Sequence, residues 1–244
     1  MQIKEEYLRI KAVARCWNQR LHNVLMKLNS KQGMGDPCLY TKVIDGKQLY
    51  VLIYVDDILV GSESVVEIDK LYESLRKEFE LTDLGDVSYF LGLEIERCNG
   101  QYGVSLESYI DRVVQRFGMA DAKVAKTPME EGFVKVKSDG IVFEDTSQYR
   151  SLVGALLYVA VSAKPDIAVS VSILGRRVCS PTDAEWNAAK CVLRYLKGTK
   201  HWQIRYNASG DELIGYSDAD WVGDLETRRS TGGNVFLYTG GAIS

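Results

Sequence analysis

Residues 48–61 read QLYVLIYVDDILVG, and this stretch constrains the fold more than any other part of the chain. A run of apolar and aromatic β-formers leads into Asp56 and Asp57, and a second apolar run at 58–60 leads away. The pattern predicts a buried β-hairpin with two carboxylates at its tip. Burying an ionised carboxylate among aliphatic side chains is costly, and adjacent carboxylates repel each other. We therefore expect a cation beside the pair.

The alternative for Asp56 and Asp57 is an exposed turn, because Asp is a favoured turn residue. Turns that only reverse the chain usually contain Asn-Gly or Asp-Gly, in which glycine adopts φ > 0 at low cost. The flanking residues here are Val55 and Ile58, with no glycine. Mg²⁺ prefers hard oxygen ligands and is commonly held by one or two carboxylates plus substrate phosphates. The flanking residues therefore favour a divalent metal site over a simple turn.

Tyr54-Val55-Asp56-Asp57 between hydrophobic strands resembles the polymerase motif of reverse transcriptases. Together with the upstream segments CWNQRL and DPCLYTK, it resembles the palm of a Ty1/copia-type retrotransposon Pol polyprotein. The resemblance implies RNA-directed DNA synthesis with Mg²⁺ or Mn²⁺ on an RNA or DNA template-primer. It also implies that Asp56 binds the catalytic metals and that Asp57 assists.

Downstream, apolar spacing predicts a helix at 65–79 and an alternating strand at 87–95. Part of this strand is similar to the hairpin with which reverse transcriptases grip the primer end; an ordinary half-buried strand remains an equal alternative. The candidate primer-grip residues are Tyr89, Phe90, Leu91 and Gly92.

The middle of the chain reads as mainly helical. Ser105 or Ser108 is placed to cap a helix that Gly118 ends. Further helices are predicted at 147–162, 165–178 and 182–197, the last opening with a capping box from Thr182 to Glu185. Basic residues along 176–200 are usually solvated surface, although a patch facing a nucleic-acid duplex is the alternative.

In the last segment, strands are predicted from 202–206, 213–217 and 234–238. This segment resembles the opening hairpin of the RNase H domain that follows the polymerase in copia-type elements. By that resemblance Asp218 matches the first metal-binding Asp of the domain. Without the resemblance, Asp218 reads as a turn residue at the end of a strand.

The predicted fold class is α+β. The expected domains are a partial reverse transcriptase palm and thumb (1–122), a linker (123–146), a helical connection region (147–200) and the start of a truncated RNase H-like domain (201–244). The family places another palm Asp and the fingers before the tyrosine-valine-aspartate-aspartate motif. We expect this chain to lack both, together with the rest of the RNase H domain, and therefore to be an inactive fragment of the polymerase. The alternative is a non-catalytic module that binds nucleic acid or assembles with itself or with a fuller Pol chain.

Composition limits the other possibilities. The net charge of −3 supplies no general attraction to nucleic acid, so such binding needs a local basic face. The five cysteines form no CxxC pair, which favours reduced thiols. Because no signal peptide or long apolar run is visible, we expect a cytoplasmic or nuclear location and no membrane partner.

Overall fold

The computed structural model describes residues 2–133, 140–207, 212–219, 228 and 230–244, with side chains from residue 15 onward. The chain divides into two compact units, Met1–Val87 and Ser88–Ser244. Helices and antiparallel sheets occupy separate stretches of sequence, so the predicted α+β class is confirmed. Of the helices in the described part of the chain, none has both the length and the apolar character needed to cross a membrane.

The first unit packs two helices against a four-stranded antiparallel sheet of order β1-β2-β3-β4. Its elements are α1 (Gln2–Lys27), β1 (Lys31–Gln32), β2 (Leu39–Ile44), β3 (Lys47–Tyr54), β4 (Asp57–Ser62) and α2 (Val65–Arg76). Alternation along β3 turns Leu49, Val51 and Ile53 into the core, where they join a buried apolar cluster that includes Leu21 of α1 and Leu71 of α2. Each such side chain contributes about 1.5–3 kcal/mol to stability. The predicted hairpin of β3 and β4 is confirmed.

In its described residues, the second unit contains two sheets and a group of helices, and the helices form most of a large apolar core. Its strands are β5 (Tyr89–Phe90), β6 (Leu93–Cys98), β7 (Gln101–Ser105), β8 (Ile204–Asn207), β9 (Ile214–Ala219), β10 (Gly232–Tyr238) and β11 (Gly241–Ala242). Its helices are α3 (Glu107–Arg116), α4 (Thr146–Ser162), α5 (Ala168–Gly175) and α6 (Asp183–Thr199). One sheet has the order β5-β6-β7-β8 and the other β11-β10-β9.

Two sequence predictions in this unit are wrong. The stretch 87–95 is not one strand, because Leu91 and Gly92 form a turn that separates β5 from β6. No serine side chain caps α3. Ser105 ends β7, and the N–H of Ser108 donates instead to Oε1 of Glu94 on β6 at 2.7 Å. In both places the cause is tertiary structure that local spacing does not encode.

The remaining helices follow the predictions more closely. The capping box of α6 is confirmed: the Thr182 N–H donates to the Glu185 carboxylate at 2.7 Å, and its hydroxyl donates to the same oxygen. The helix predicted at 165–178 is shorter, with a 3-10 turn at Pro165–Ile167 before α5. The predicted strands near 204, 214 and 234 correspond to β8, β9 and β10, although parts of the connecting turns lie outside the described residues.

Strand β8 follows α6 and pairs with β7, with Val104 opposite Ile204. It also contacts the other sheet, since the Tyr206 hydroxyl donates to the Ala242 carbonyl at 2.7 Å. The first strand of the range 201–244 therefore completes the sheet begun by β5, β6 and β7. The predicted domain boundaries themselves stay predictions.

Candidate functional site at the hairpin tip

The aspartate pair lies at the tip of the hairpin formed by β3 and β4. Tyr54 pairs with Asp57, so Val55 and Asp56 are the two residues of the turn. Both carboxylates are exposed, as is Val55, which is 64% accessible. The expectation of a buried pair is therefore wrong: the alternating burial of β3 stops at Ile53, before the tip. A cation is not required to offset burial, but exposed carboxylate oxygens are available to bind one.

The turn at this tip carries backbone strain. Val55 has φ of 54°, whereas Asp56 does not have a positive φ, and this is the arrangement in which a hairpin turn favours glycine at the first position. Positive φ in a β-branched residue is rare because the side chain crowds the backbone. Strain of this kind costs about 1–3 kcal/mol and persists only where the surroundings hold it in place.

One such holding contact comes from α1. The indole Nε1–H of Trp17 donates a hydrogen bond to the carbonyl oxygen of Val55 at 3.0 Å. The Trp17 ring is half-buried and meets the ring of Phe79 edge-on, with centroids 4.9 Å apart. A residue from the predicted CWNQRL segment thus contacts the turn itself, a role that sequence reasoning did not assign.

The donor set at the tip fits a divalent metal only in part. Asp56 and Asp57 supply hard oxygen ligands, which suit Mg²⁺ or Mn²⁺ held jointly with phosphates and water. Across the described ranges, no group of three or more His, Cys, Asp or Glu side chains is placed to hold a metal ion. The arrangement can contribute two carboxylates to a shared site but does not by itself form a closed metal cage.

Of the candidate primer-grip residues, Tyr89 and Phe90 form β5, and Leu91 and Gly92 form the turn between β5 and β6. Leu91 and Gly92 have φ of 53° and 87°, as in a two-residue hairpin turn with both positions left-handed. Tyr89 is 54% exposed, and Phe90 is half-buried. The structure therefore shows a hairpin in place of the half-buried continuous strand; its contact with a primer stays a prediction.

A helix also holds this second turn. The hydroxyl of Tyr158 on α4 donates to the Leu91 carbonyl at 2.7 Å, and the Tyr158 ring packs edge-on against Tyr109, with centroids 4.7 Å apart. A Cβ at Gly92 would lie 2.6 Å from the Tyr158 hydroxyl oxygen. Glycine is thus needed at position 92 both for φ and for space.

Asp218 lies in β9, opposite Gly233 of β10, with its side chain exposed. Asp56 and Asp57 belong to the first unit, while Asp218 and the turn at Leu91 belong to the second. Several acidic residues that follow Asp218 in sequence lie outside the described residues. Its metal-binding role stays a prediction.

The basic residues of α6 make contacts within the protein. Nε of Arg194 donates to the Lys123 carbonyl at 2.6 Å, and Nζ of Lys197 donates to the carbonyls of Ala120 and Ala122 at 2.5 and 2.8 Å. These bonds tie the segment after α3 to α6. They favour a structural use of these two charges over a patch that faces a duplex.

Comparisons with known proteins cover the part of the chain that contains this hairpin. The sequence profile of the reverse transcriptase (RNA-dependent DNA polymerase) family matches residues 2–131. The chain is 35% identical to the Pol polyprotein of transposon TNT 1-94 from Nicotiana tabacum, over 96% of the chain and 18% of that protein. It is 33% identical to the Pol polyprotein of transposon RE2 from Arabidopsis thaliana, over 95% of the chain and 16% of that protein.

A third relative is closer in length. The chain is 31% identical to a transposon Ty5-1 protein of Saccharomyces cerevisiae, over 93% of the chain and 75% of that protein. No solved structure matches the chain significantly. The chain thus spans less than a fifth of the two plant Pol polyproteins but most of the yeast protein. From the family match and these identities, the chain belongs to the reverse transcriptase (RNA-dependent DNA polymerase) family, in the group of copia-type retrotransposon Pol polyproteins.

Proposed function

We propose that Asp56 and Asp57 are metal-holding carboxylates of an RNA-directed DNA polymerase palm, with Asp56 the main ligand and Asp57 the assisting one. The observation that carries the proposal is the exposed two-residue turn, which presents both carboxylates at the end of a half-buried hairpin. Asp57 begins the paired strand β4 and Asp56 precedes it in the turn, so the pairing of β3 with β4 positions both carboxylates.

The chemistry expected at this tip is nucleotidyl transfer to a primer on an RNA or DNA template. When bound, Mg²⁺ or Mn²⁺ lowers the pKa of the primer hydroxyl and neutralises charge on the leaving pyrophosphate. The register of the hairpin pairs Tyr54 with Asp57 and so sets the positions of the two carboxylates. The relatives' names place them in transposon Pol polyproteins, which supports a template-primer as the substrate class.

We further propose that the 244-residue chain alone does not polymerise DNA. A two-metal site needs carboxylates that converge from more than one element. In the part of the chain that the structure describes, no third metal-binding side chain joins Asp56 and Asp57, which supports the need for a further ligand from elsewhere in a Pol assembly.

The finer assignments belong to the same proposal. They are a palm and thumb in 1–122, a linker in 123–146, a connection region in 147–200 and an RNase H-like start in 201–244. In them Asp218 is an RNase H-type metal ligand and the turn at Leu91 grips the primer end. We also propose a cytoplasmic or nuclear location.

Primer extension tests this proposal. The purified chain is incubated with an oligo(dT)-primed poly(rA) template, dTTP and Mg²⁺ or Mn²⁺. We expect no extension by the chain alone. Metal-dependent extension that Asp56→Asn abolishes would show that the chain is a complete polymerase, and would refute the need for a further ligand while supporting the role of Asp56.

The second candidate function is a non-catalytic assembly module. It is favoured by the exposure of apolar side chains on the terminal sheet of β9, β10 and β11, where Tyr216 is 61% and Phe236 41% accessible. Large apolar side chains left in water on one sheet favour association. Sedimentation velocity tests this function: a concentration-dependent dimer that Tyr216→Ser weakens would support it, and a monomer throughout would count against it.

A further inference from the structure

The turn at the hairpin tip is exposed, its backbone is strained, and a side chain of α1 donates a hydrogen bond to it. We call this hydrogen bond the tether. Val55 holds φ of 54° with 64% of its side chain accessible, so little packing of its own enforces that conformation. Its carbonyl oxygen accepts a hydrogen bond from Nε1 of Trp17 at 3.0 Å, across a separation of 38 positions. A strained residue without its own packing relaxes unless another contact holds it.

Trp17 is itself fixed on its other side. Its ring packs edge-on against Phe79, which is 9% exposed and belongs to the core cluster of the first unit. The guanidinium of Arg20, one turn further along α1, lies 5.1 Å from the Phe79 ring centroid and donates to the Glu78 carbonyl at 2.9 Å. The indole therefore joins a rigid part of the unit to the exposed turn.

We propose that Trp17 is the positioning residue of the hairpin tip. Its indole N–H holds Val55 in the left-handed conformation and thereby fixes the directions in which Asp56 and Asp57 present their carboxylates. The tether rests on geometry alone, whereas its use for metal binding rests on the function proposed above. Trp17 contacts the carbonyl oxygen of Val55 and acts on the two carboxylates through the turn.

The test combines Trp17→Phe with Val55→Gly. Phenylalanine keeps an aromatic ring to pack against Phe79 but removes the donor to Val55. We expect amide hydrogen exchange at Asp57, which pairs with Tyr54, to accelerate about fivefold, as for the loss of one hydrogen bond. Mn²⁺ affinity at the tip should fall by a similar factor.

Val55→Gly separates positioning from general support. Glycine adopts positive φ freely, so the turn no longer needs its tether. In the Val55→Gly background, we expect Trp17→Phe to change Asp57 exchange by less than about twofold, since a relaxed turn has little to lose. Trp202→Phe, in the second unit, is the matched control and should leave both readouts at the wild-type level.

The results of these experiments test the role of Trp17 separately from the proposed metal-binding function. Unchanged Asp57 exchange in Trp17→Phe would overturn it, as would equal losses in the wild-type and Val55→Gly backgrounds. If Trp17→Phe fails to fold, the double variant decides: folding restored by Val55→Gly supports the tether, and continued unfolding shows that Trp17 is only a core residue. If the wild type binds no Mn²⁺, the proposed metal role fails, while the exchange data still decide the role of Trp17.

Discussion

Val55 and Leu91 illustrate how much of this molecule depends on single residues in unexpected conformations. Both are apolar, both have positive φ, and the carbonyl of each accepts a hydrogen bond from an aromatic side chain on a helix. Neither residue type favours a turn. The donors Trp17 and Tyr158 lie 38 and 67 positions away, so no local pattern could have revealed these bonds. The carboxylates were predictable from sequence, but the side chains that hold the turns were not.

Tyr149 provides a test at the same scale in the core. Its side chain is fully buried, and its hydroxyl donates to the Leu174 carbonyl at 2.9 Å, which links α4 to α5. Tyr149→Phe removes this donor, while the carbonyl keeps its bond from the backbone N–H of Arg177 at 3.1 Å. We expect the free energy of unfolding to fall by about 1 kcal/mol at neutral pH, measured by urea denaturation. Tyr238→Phe, at an exposed position, should change it little.

The same tyrosine gives a pH dependence. Burial, and then the negative charge of Glu185, raise the pKa of Tyr149 above its ordinary value of 10.0. A raised folded-state pKa means that the phenol's contribution is fully present below pH 10 and is lost as pH rises through the folded value. We therefore expect wild-type stability to decline more steeply above pH 10 than that of Tyr149→Phe. Parallel declines for the two proteins would show that Tyr149 ionises as freely in the folded state as in the unfolded chain.

At the scale of elements, some local sequence signals predicted the structure and others did not. The two apolar runs around the aspartates predicted the hairpin of β3 and β4, and the Thr182 capping box predicted the start of α6. The strand predicted at 87–95 failed because its alternation continues across the Leu91–Gly92 turn. The prediction that a serine side chain caps α3 failed because the carboxylate of Glu94, on β6, accepts the Ser108 N–H at the start of that helix. In each failure a tertiary contact decides the local structure.

The turn between β5 and β6 can be tested with a double-mutant cycle. Gly92→Ala places a methyl group 2.6 Å from the Tyr158 hydroxyl oxygen and imposes a φ of 87° on alanine. We expect it to lower the free energy of unfolding by about 1–3 kcal/mol. Tyr158→Phe should cost about 1 kcal/mol through the lost bond to Leu91.

The coupling energy between Gly92→Ala and Tyr158→Phe shows whether the Tyr158 hydroxyl lies against the turn. Because Tyr158→Phe removes the oxygen with which the new methyl group collides, the double variant should lose less stability than the sum of the single losses. Urea denaturation of the four proteins measures this coupling. Strict additivity would mean that the hydroxyl and the turn do not meet as described. Gly100→Ala, at a left-handed turn position with open space, is the control for the φ cost alone.

At the scale of the whole molecule, the sequence predicted the α+β class and the copia-type family, but not the two units. The units divide at Val87, within the range predicted as palm and thumb, and β8 returns from the far end of the helical region to pair with β7. Such long-range pairing leaves no local signal. The exposed terminal sheet likewise became visible only in the folded chain.

The central claim is that the hairpin tip holds a divalent metal through Asp56 and Asp57. Mn²⁺ titration followed by the electron paramagnetic resonance of the free ion tests it most directly. We expect the wild type to bind Mn²⁺ at the tip and Asp56→Asn/Asp57→Asn to lose that binding. Asp45 is exposed in the turn between β2 and β3, at the other end of β3, and Asp45→Asn should retain the binding. Equal binding by all three proteins, or none by the wild type, would contradict the claim.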